Sequence, residues 1–178
     1  MKKTALLALC ALLLLASVSP AGATVGRDIL MAQRRVSSWT GEDMVSVLTA
    51  DGTILLFDLD GMPWETRNDP EELLYFLRVH GLSKASLLYG AAAPRVLSKA
   101  GADFVRDVRA LLGQVEEEAF ETSFYATDAG AFLTYAVLQS GGEGRLSLLA
   151  ESGTYQGQTK DPAALALMAL AGPVLMGE

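Results

Sequence analysis

Asp58 and Asp60 stand one residue apart at the end of an apolar run, in the string Ile54-Leu55-Leu56-Phe57-Asp58-Leu59-Asp60-Gly61. A carboxylate at a strand end can attack phosphorus once a metal neutralises the phosphate. Asp58 and Asp60 are the alternative catalytic residues, while the leading reading assigns none. Trp64 and Glu65 follow in the same loop. Asp58, Asp60, Trp64 and Glu65 together read as a ligand-binding rim of one aromatic ring among acids. Trp39 and Trp64 could equally serve as lids on the core. Alternate oxygens from Asp58, Asp60 and Glu65 would suit Ca2+, but the spacing of an EF-hand is absent. Met31, Met44 and Met62 offer thioethers that either fill the core or bind Cu(I).

Other chemistries are excluded by what is missing. His80 is the sole histidine, so a histidine-rich metal site cannot form, and no Gly-x-Ser-x-Gly elbow accompanies it. Near the end of a helix, its expected role is to place a cation against the negative end of the dipole. Gly141 to Gly144 lack the spacing of a phosphate-binding loop. Acids are plentiful enough for a glycosidase pair, yet nothing marks one pair over another.

Two short resemblances carry functional implications. The Asp58-Leu59-Asp60-Gly61 string after four apolar residues resembles the first motif of the haloacid dehalogenase superfamily. The resemblance implies a central parallel strand, Asp58 as nucleophile and ligand of Mg2+, and Asp60 as general acid and base. Met62 stands where that family usually has Thr or Val, and only Asp128 and Asp161 follow Asp107 as aspartates. The run from Val45 through Phe57 to Phe76-Leu77 is similar to the NosL-type copper-delivery proteins of the envelope. That likeness implies a hairpin feeding a helix, in two similar halves, and metal delivery as the task.

The N-terminus reads as a cleaved secretory signal peptide over residues 1–23. Lys2 and Lys3 open it, an uncharged run from Ala5 to Ala16 follows, and Ala21 and Ala23 suit the −3 and −1 cleavage positions. The run is too short for a membrane anchor, and Leu9 before Cys10 does not suit lipidation. Cys10, the one cysteine, leaves with the signal. Residues 24–178 are then disulfide-free and long enough for a single compact domain without such staples. The net charge of −7 becomes more negative on losing two lysines. Such an acidic chain repels nucleic acid, whose binding relies on clustered Lys and Arg.

The expected fold class is α+β: a mainly antiparallel sheet, made of a hairpin and a three-strand meander, with about three helices packed on one face. Residues 24–42 fit either a short helix capped by Asp28, with Arg34 and Arg35 outward, or an extended arm. Met44 to Thr49 and Thr53 to Phe57 flank Ala50-Asp51-Gly52, a hairpin signature. Asp58 to Asn68 reads as a loop. Asn68 or Asp69, Pro70, Glu71 and Glu72 open a helix that Gly81 closes. A short strand is expected at Ala85 to Tyr89 and a second helix from Ser98 to Leu112, followed by a solvated linker at Glu116 to Glu118. The meander strands are expected over Phe120–Ala126, Ala131–Leu138 and Arg145–Ala150. A last helix, apolar all round and so expected to be buried, spans Asp161-Pro162 to Gly172-Pro173. Strand, turn, strand and Asp-Pro helix start occur in this order in both 44–80 and 120–171. That fits two related strand–strand–helix halves, and equally the general frequency of such turns.

The leading expectation is an exported, non-catalytic binding or envelope accessory domain without a cofactor. Its partner would be a protein or a glycan, met by strand pairing at a sheet edge. The alternatives are the Mg2+-dependent phosphohydrolase and the metal-delivery protein.

Overall fold

The computed structural model describes residues 27–37, 39–80, 93–116, 120, 122–124, 130–140, 143–153 and 155–177. The expected signal peptide with Cys10, the strand at 85–89, and Gly81, Glu117, Glu118, Asp128, Ala129, Gly141 and Gly142 lie outside them.

Strands β1 (Ile29–Val36), β2 (Asp43–Thr49) and β3 (Thr53–Asp58) come first, followed by helices α1 (Trp64–Asn68) and α2 (Pro70–Val79). Strand β4 (Arg95–Lys99), helix α3 (Ala102–Leu112) and the two-residue β5 (Ser123–Phe124) lead to β6 (Ala131–Ser140), β7 (Glu143–Gly153), β8 (Tyr155–Gln158) and helix α4 (Pro162–Met176). The strand order is β4-β3-β2-β1-β6-β7-β8-β5, and every pairing among the described residues is antiparallel. The α+β class is as the sequence indicates.

The hairpin closes as its turn residues require. β2 and β3 pair from Met44↔Asp58 to Leu48↔Ile54, and Gly52 takes φ +85°. A side chain at Gly52 would put its Cβ 2.7 Å from the Ala100 carbonyl oxygen, so the turn needs glycine for space as well as for conformation. Asp51 fastens it by accepting from the hydroxyls of Thr49 and Thr53 and from the Thr53 amide.

Several elements correct the sequence reading. Of the two readings of residues 24–42, the capped helix is not formed; residues 29–36 are extended and make the central strand β1, paired with β2 and β6. A strand covered on both faces shows a continuous apolar run rather than alternation, which hides it beside a short helix. The Asp58–Asn68 loop contains α1. Ser98 lies in β4, and α3 starts only at Ala102, because the backbone of 95–99 pairs with β3. The meander is β6-β7-β8, whereas β5 sits on the outer side of β8. Helix α4 runs through Gly172-Pro173 to a left-handed Gly177. Pro173 costs that helix one backbone bond, while burial of Ala171, Gly172 and Leu175 keeps its last turn on the sheet.

Helices cover both faces of the sheet, not one. Leu73, Leu74, Phe76 and Leu77 of α2 pack on Val45, Val47, Leu55, Phe57, Tyr135 and Val137. On the other face Val105 and Val108 of α3, with Ala164, Leu167, Ala171 and Leu175 of α4, pack on Leu30, Met31, Leu48, Ile54, Ala136 and Leu149. Full burial of each large apolar side chain contributes about 1.5–3 kcal/mol. Asp69 caps α2 by accepting from the amides of Glu71 and Glu72, and Asp161 caps α4 by accepting from Ala164. The amides of Ala164 and Glu116 hold the Asp161 carboxyl below its ordinary pKa. At the other end of α2, cations come from Arg78 in the last turn and from Arg27. The Arg27 guanidinium donates to the Leu77 and His80 carbonyls, and the buried His80 ring stacks on Phe76 at 4.5 Å.

Candidate functional site

Helices α3 and α4 cover only one end of their face. Beyond Leu175 and Met176 the sheet lies open, and the strand register shows what it displays. One cross-strand row runs Arg95, Leu56, Ser46, Gln33, Thr134 and Ala150. The next runs Asp58, Met44, Arg35, Phe132 and Ser152. These rows floor a groove that crosses the strands, walled by the C-terminal turn of α4. It opens as two adjoining hollows of about 450 and 440 Å3 that share Gln33, Phe132 and Met176.

The groove is amphipathic. Met44, Leu56, Leu97, Phe132 and Met176 supply apolar surface, and Gln33, Ser46, Thr134, Ser152 and Gln158 supply donors and acceptors beside it. Phe132, Leu97 and Met176 are 44, 43 and 54 % exposed, a high fraction for large apolar side chains grouped together. Arg35 brings a cation to the floor and lies 3.9 Å from Glu42, with both groups half-exposed.

A denser polar cluster occupies the same end of the sheet on the other face. Buried Arg34, expected to point outward, makes a two-point contact with buried Asp43, Nε to Oδ1 at 2.7 Å and Nη2 to Oδ2 at 2.6 Å. Arg67 of α1 donates to the same carboxylate at 3.0 Å, and Arg34 Nη1 donates to the Arg67 carbonyl and to Asn68 Oδ1. This cluster ties α1 to β1 and β2. Buried Tyr135 lies beside it, and burial pushes the Tyr135 phenol above its ordinary pKa.

The residues singled out from sequence do not converge. Asp58 lies at the end of a groove row, with its Oδ1 accepting from the Asp60 amide at 2.9 Å. Trp64 and Glu65 belong to α1, which Arg34 and Asp43 hold on the opposite face. Neither tryptophan is a lid. Trp39 is 80 % and Trp64 62 % exposed, and the Arg67 guanidinium stands 5.5 Å from the centre of the Trp64 ring. Met31 and Met62 are buried in separate clusters on opposite faces, while Met44 lines the groove, so the three thioethers share no site. Among the described residues no group of three or more His, Cys, Asp or Glu side chains is arranged to hold a metal ion. β3 is antiparallel to both neighbours, so the parallel central strand implied by the dehalogenase resemblance is not formed.

Of the groove-lining residues, sequence reading singled out Met44 as a candidate ligand. Phe132 had no periodic signal, because Ala131 to Leu138 is apolar at every position but Thr134. Leu97 and Met176 had none, because their exposure depends on where α4 ends above the sheet. No protein-family model, curated protein or solved structure matches the chain.

Proposed function

We propose that this protein is an exported, non-catalytic binding domain whose groove receives a segment of a partner protein. The observation that carries the reading is the uncovered amphipathic sheet face around Phe132, Met44 and Met176. An apolar floor with interspersed amide and hydroxyl groups suits a polypeptide, whose side chains fill the hollows while its backbone meets the polar groups. Export rests on the sequence of residues 1–23.

Selection of peptides from a random displayed library tests the reading. Enriched peptides are expected to bind the chain, to lose binding to Ser46→Trp, which fills the floor, and to keep binding to Tyr75→Ser on the exposed side of α2. A library that yields no enrichment, or binding that ignores Ser46→Trp, overturns the assignment.

A further inference from the structure

At one side the groove ends on β4, the outermost strand of the sheet. All five β4 residues, Arg95-Val96-Leu97-Ser98-Lys99, are exposed, and Val96 is 67 % so. Among the described residues nothing pairs with its outer side, so its backbone is a template for one more strand. Leu97 connects that edge to the groove, because it lines the groove wall where the pairing with β3 shifts register.

The charges on β4 select the occupant. A second copy paired antiparallel along the whole strand would gather two Arg95 and two Lys99 cations along one short edge. Like charges crowded along one edge repel, so β4 opposes its own duplication. The same two cations, one at each end of an apolar centre, favour a strand with acids at its ends. The Lys99 ammonium lies 3.7 Å from the exposed Asp51 carboxylate and is within reach of an incoming acid as well.

We propose that β4 recruits an extended peptide segment with an apolar centre and acidic flanks, which joins the sheet as an additional strand. This proposal rests on the groove reading and names the partner's chemistry. Backbone hydrogen bonds to the edge hold the segment, its groove-side residues meet Leu97, and its flanking acids face Arg95 and Lys99.

Two synthetic peptides test it, each of alternating threonine and valine, one ending in glutamates and the other in lysines. Titrated into isotopically labelled chain, the glutamate peptide is expected to shift the amide signals of Val96, Leu97 and Ser98. The lysine peptide is expected to bind about tenfold more weakly, the effect of two exposed ion pairs. In Arg95→Glu/Lys99→Glu the preference is expected to reverse, and neither exposed substitution threatens the fold. Equal binding of both peptides, or β4 signals unmoved by the glutamate peptide, overturns the proposal. If the shifts instead fall on Ser46 and Phe132 alone, the groove reading stands and edge pairing is refuted. Dimers of the free chain whose formation broadens the β4 signals would show a second copy to be the occupant, again overturning it.

Discussion

Asp43→Asn tests whether the Arg34 cluster is the electrostatic anchor of this end of the sheet. The Asp43 carboxylate accepts three hydrogen bonds from two arginines, and the Asp43 and Arg34 side chains are each 3 % exposed. Asparagine keeps the shape but removes the charge, and it turns an amide donor toward the guanidinium. Arg34 is then a buried cation without a counter-charge, left with one amide oxygen at position 43 beside the Arg67 carbonyl and Asn68 Oδ1 as acceptors. Breaking a buried pair in this way costs about 3–5 kcal/mol. For a chain of this length each kcal/mol lowers Tm by roughly 2–4 °C, so the expected fall is about 6–20 °C. Urea unfolding followed by circular dichroism is the assay, with the slope m compared to confirm that only the midpoint moves. The paired replacement Arg34→Met/Asp43→Leu removes both charges and is expected to recover most of the loss, since the penalty belongs to the uncompensated ion. A single-variant cost below about 1 kcal/mol, or a double variant no better than the single, would refute the reasoning.

Three further outcomes follow from individual residues. Hydrogen bonds from Thr49 and Thr53 hold the Asp51 carboxyl at a pKa of about 2, below its ordinary 3.8. A depressed carboxylate stabilises the fold above its ordinary pKa and loses that contribution as pH falls toward the folded value. The Tm gap between wild type and Asp51→Ala is therefore expected to hold steady above about pH 5 and to narrow from about pH 4 to pH 2, and a gap constant down to pH 2 contradicts this. Gly130 has φ +91°, and a Cβ there would lie 2.0 Å from the Val36 carbonyl oxygen. Gly130→Ala is expected to cost about 2–3 kcal/mol in urea unfolding, and an unchanged midpoint would show the turn free to move. Exposed Asp58 is expected to tolerate Asn within about 0.5 kcal/mol, with no hydrolysis of p-nitrophenyl phosphate by the parent chain in Mg2+. Mg2+-dependent turnover that Asp58→Asn abolishes would restore the phosphohydrolase reading.

What the sequence made legible was local. Ala50-Asp51-Gly52 identifies its hairpin, and Asp69-Pro70 and Asp161-Pro162 identify their helix starts, because each turn or cap is satisfied by neighbours in the chain. What it obscured depends on distant partners. Arg34 looks like a surface charge until Asp43 and Arg67 surround it, and Ile29 to Ala32 look ambiguous until both faces of β1 are covered. Ser98 resembles a helix cap but belongs to a strand that needs β3 beside it. α4 is apolar on every side, which suggested full burial. In fact it buries Ala164, Leu167, Ala171 and Leu175 and leaves Leu165 and Met176 exposed, with Met176 at the groove. The candidate site was hardest to read because it is an uncovered area, defined by where α4 stops.

The most direct test of the groove as a binding surface is photo-crosslinking in the native cell, with a benzophenone side chain replacing Phe132 or, as control, Tyr75. Both positions are exposed, but only Phe132 lies in the groove. Discrete adducts with a single protein from position 132, absent from position 75, are the expected result. Identical adducts from both positions, or none from position 132, would contradict the account.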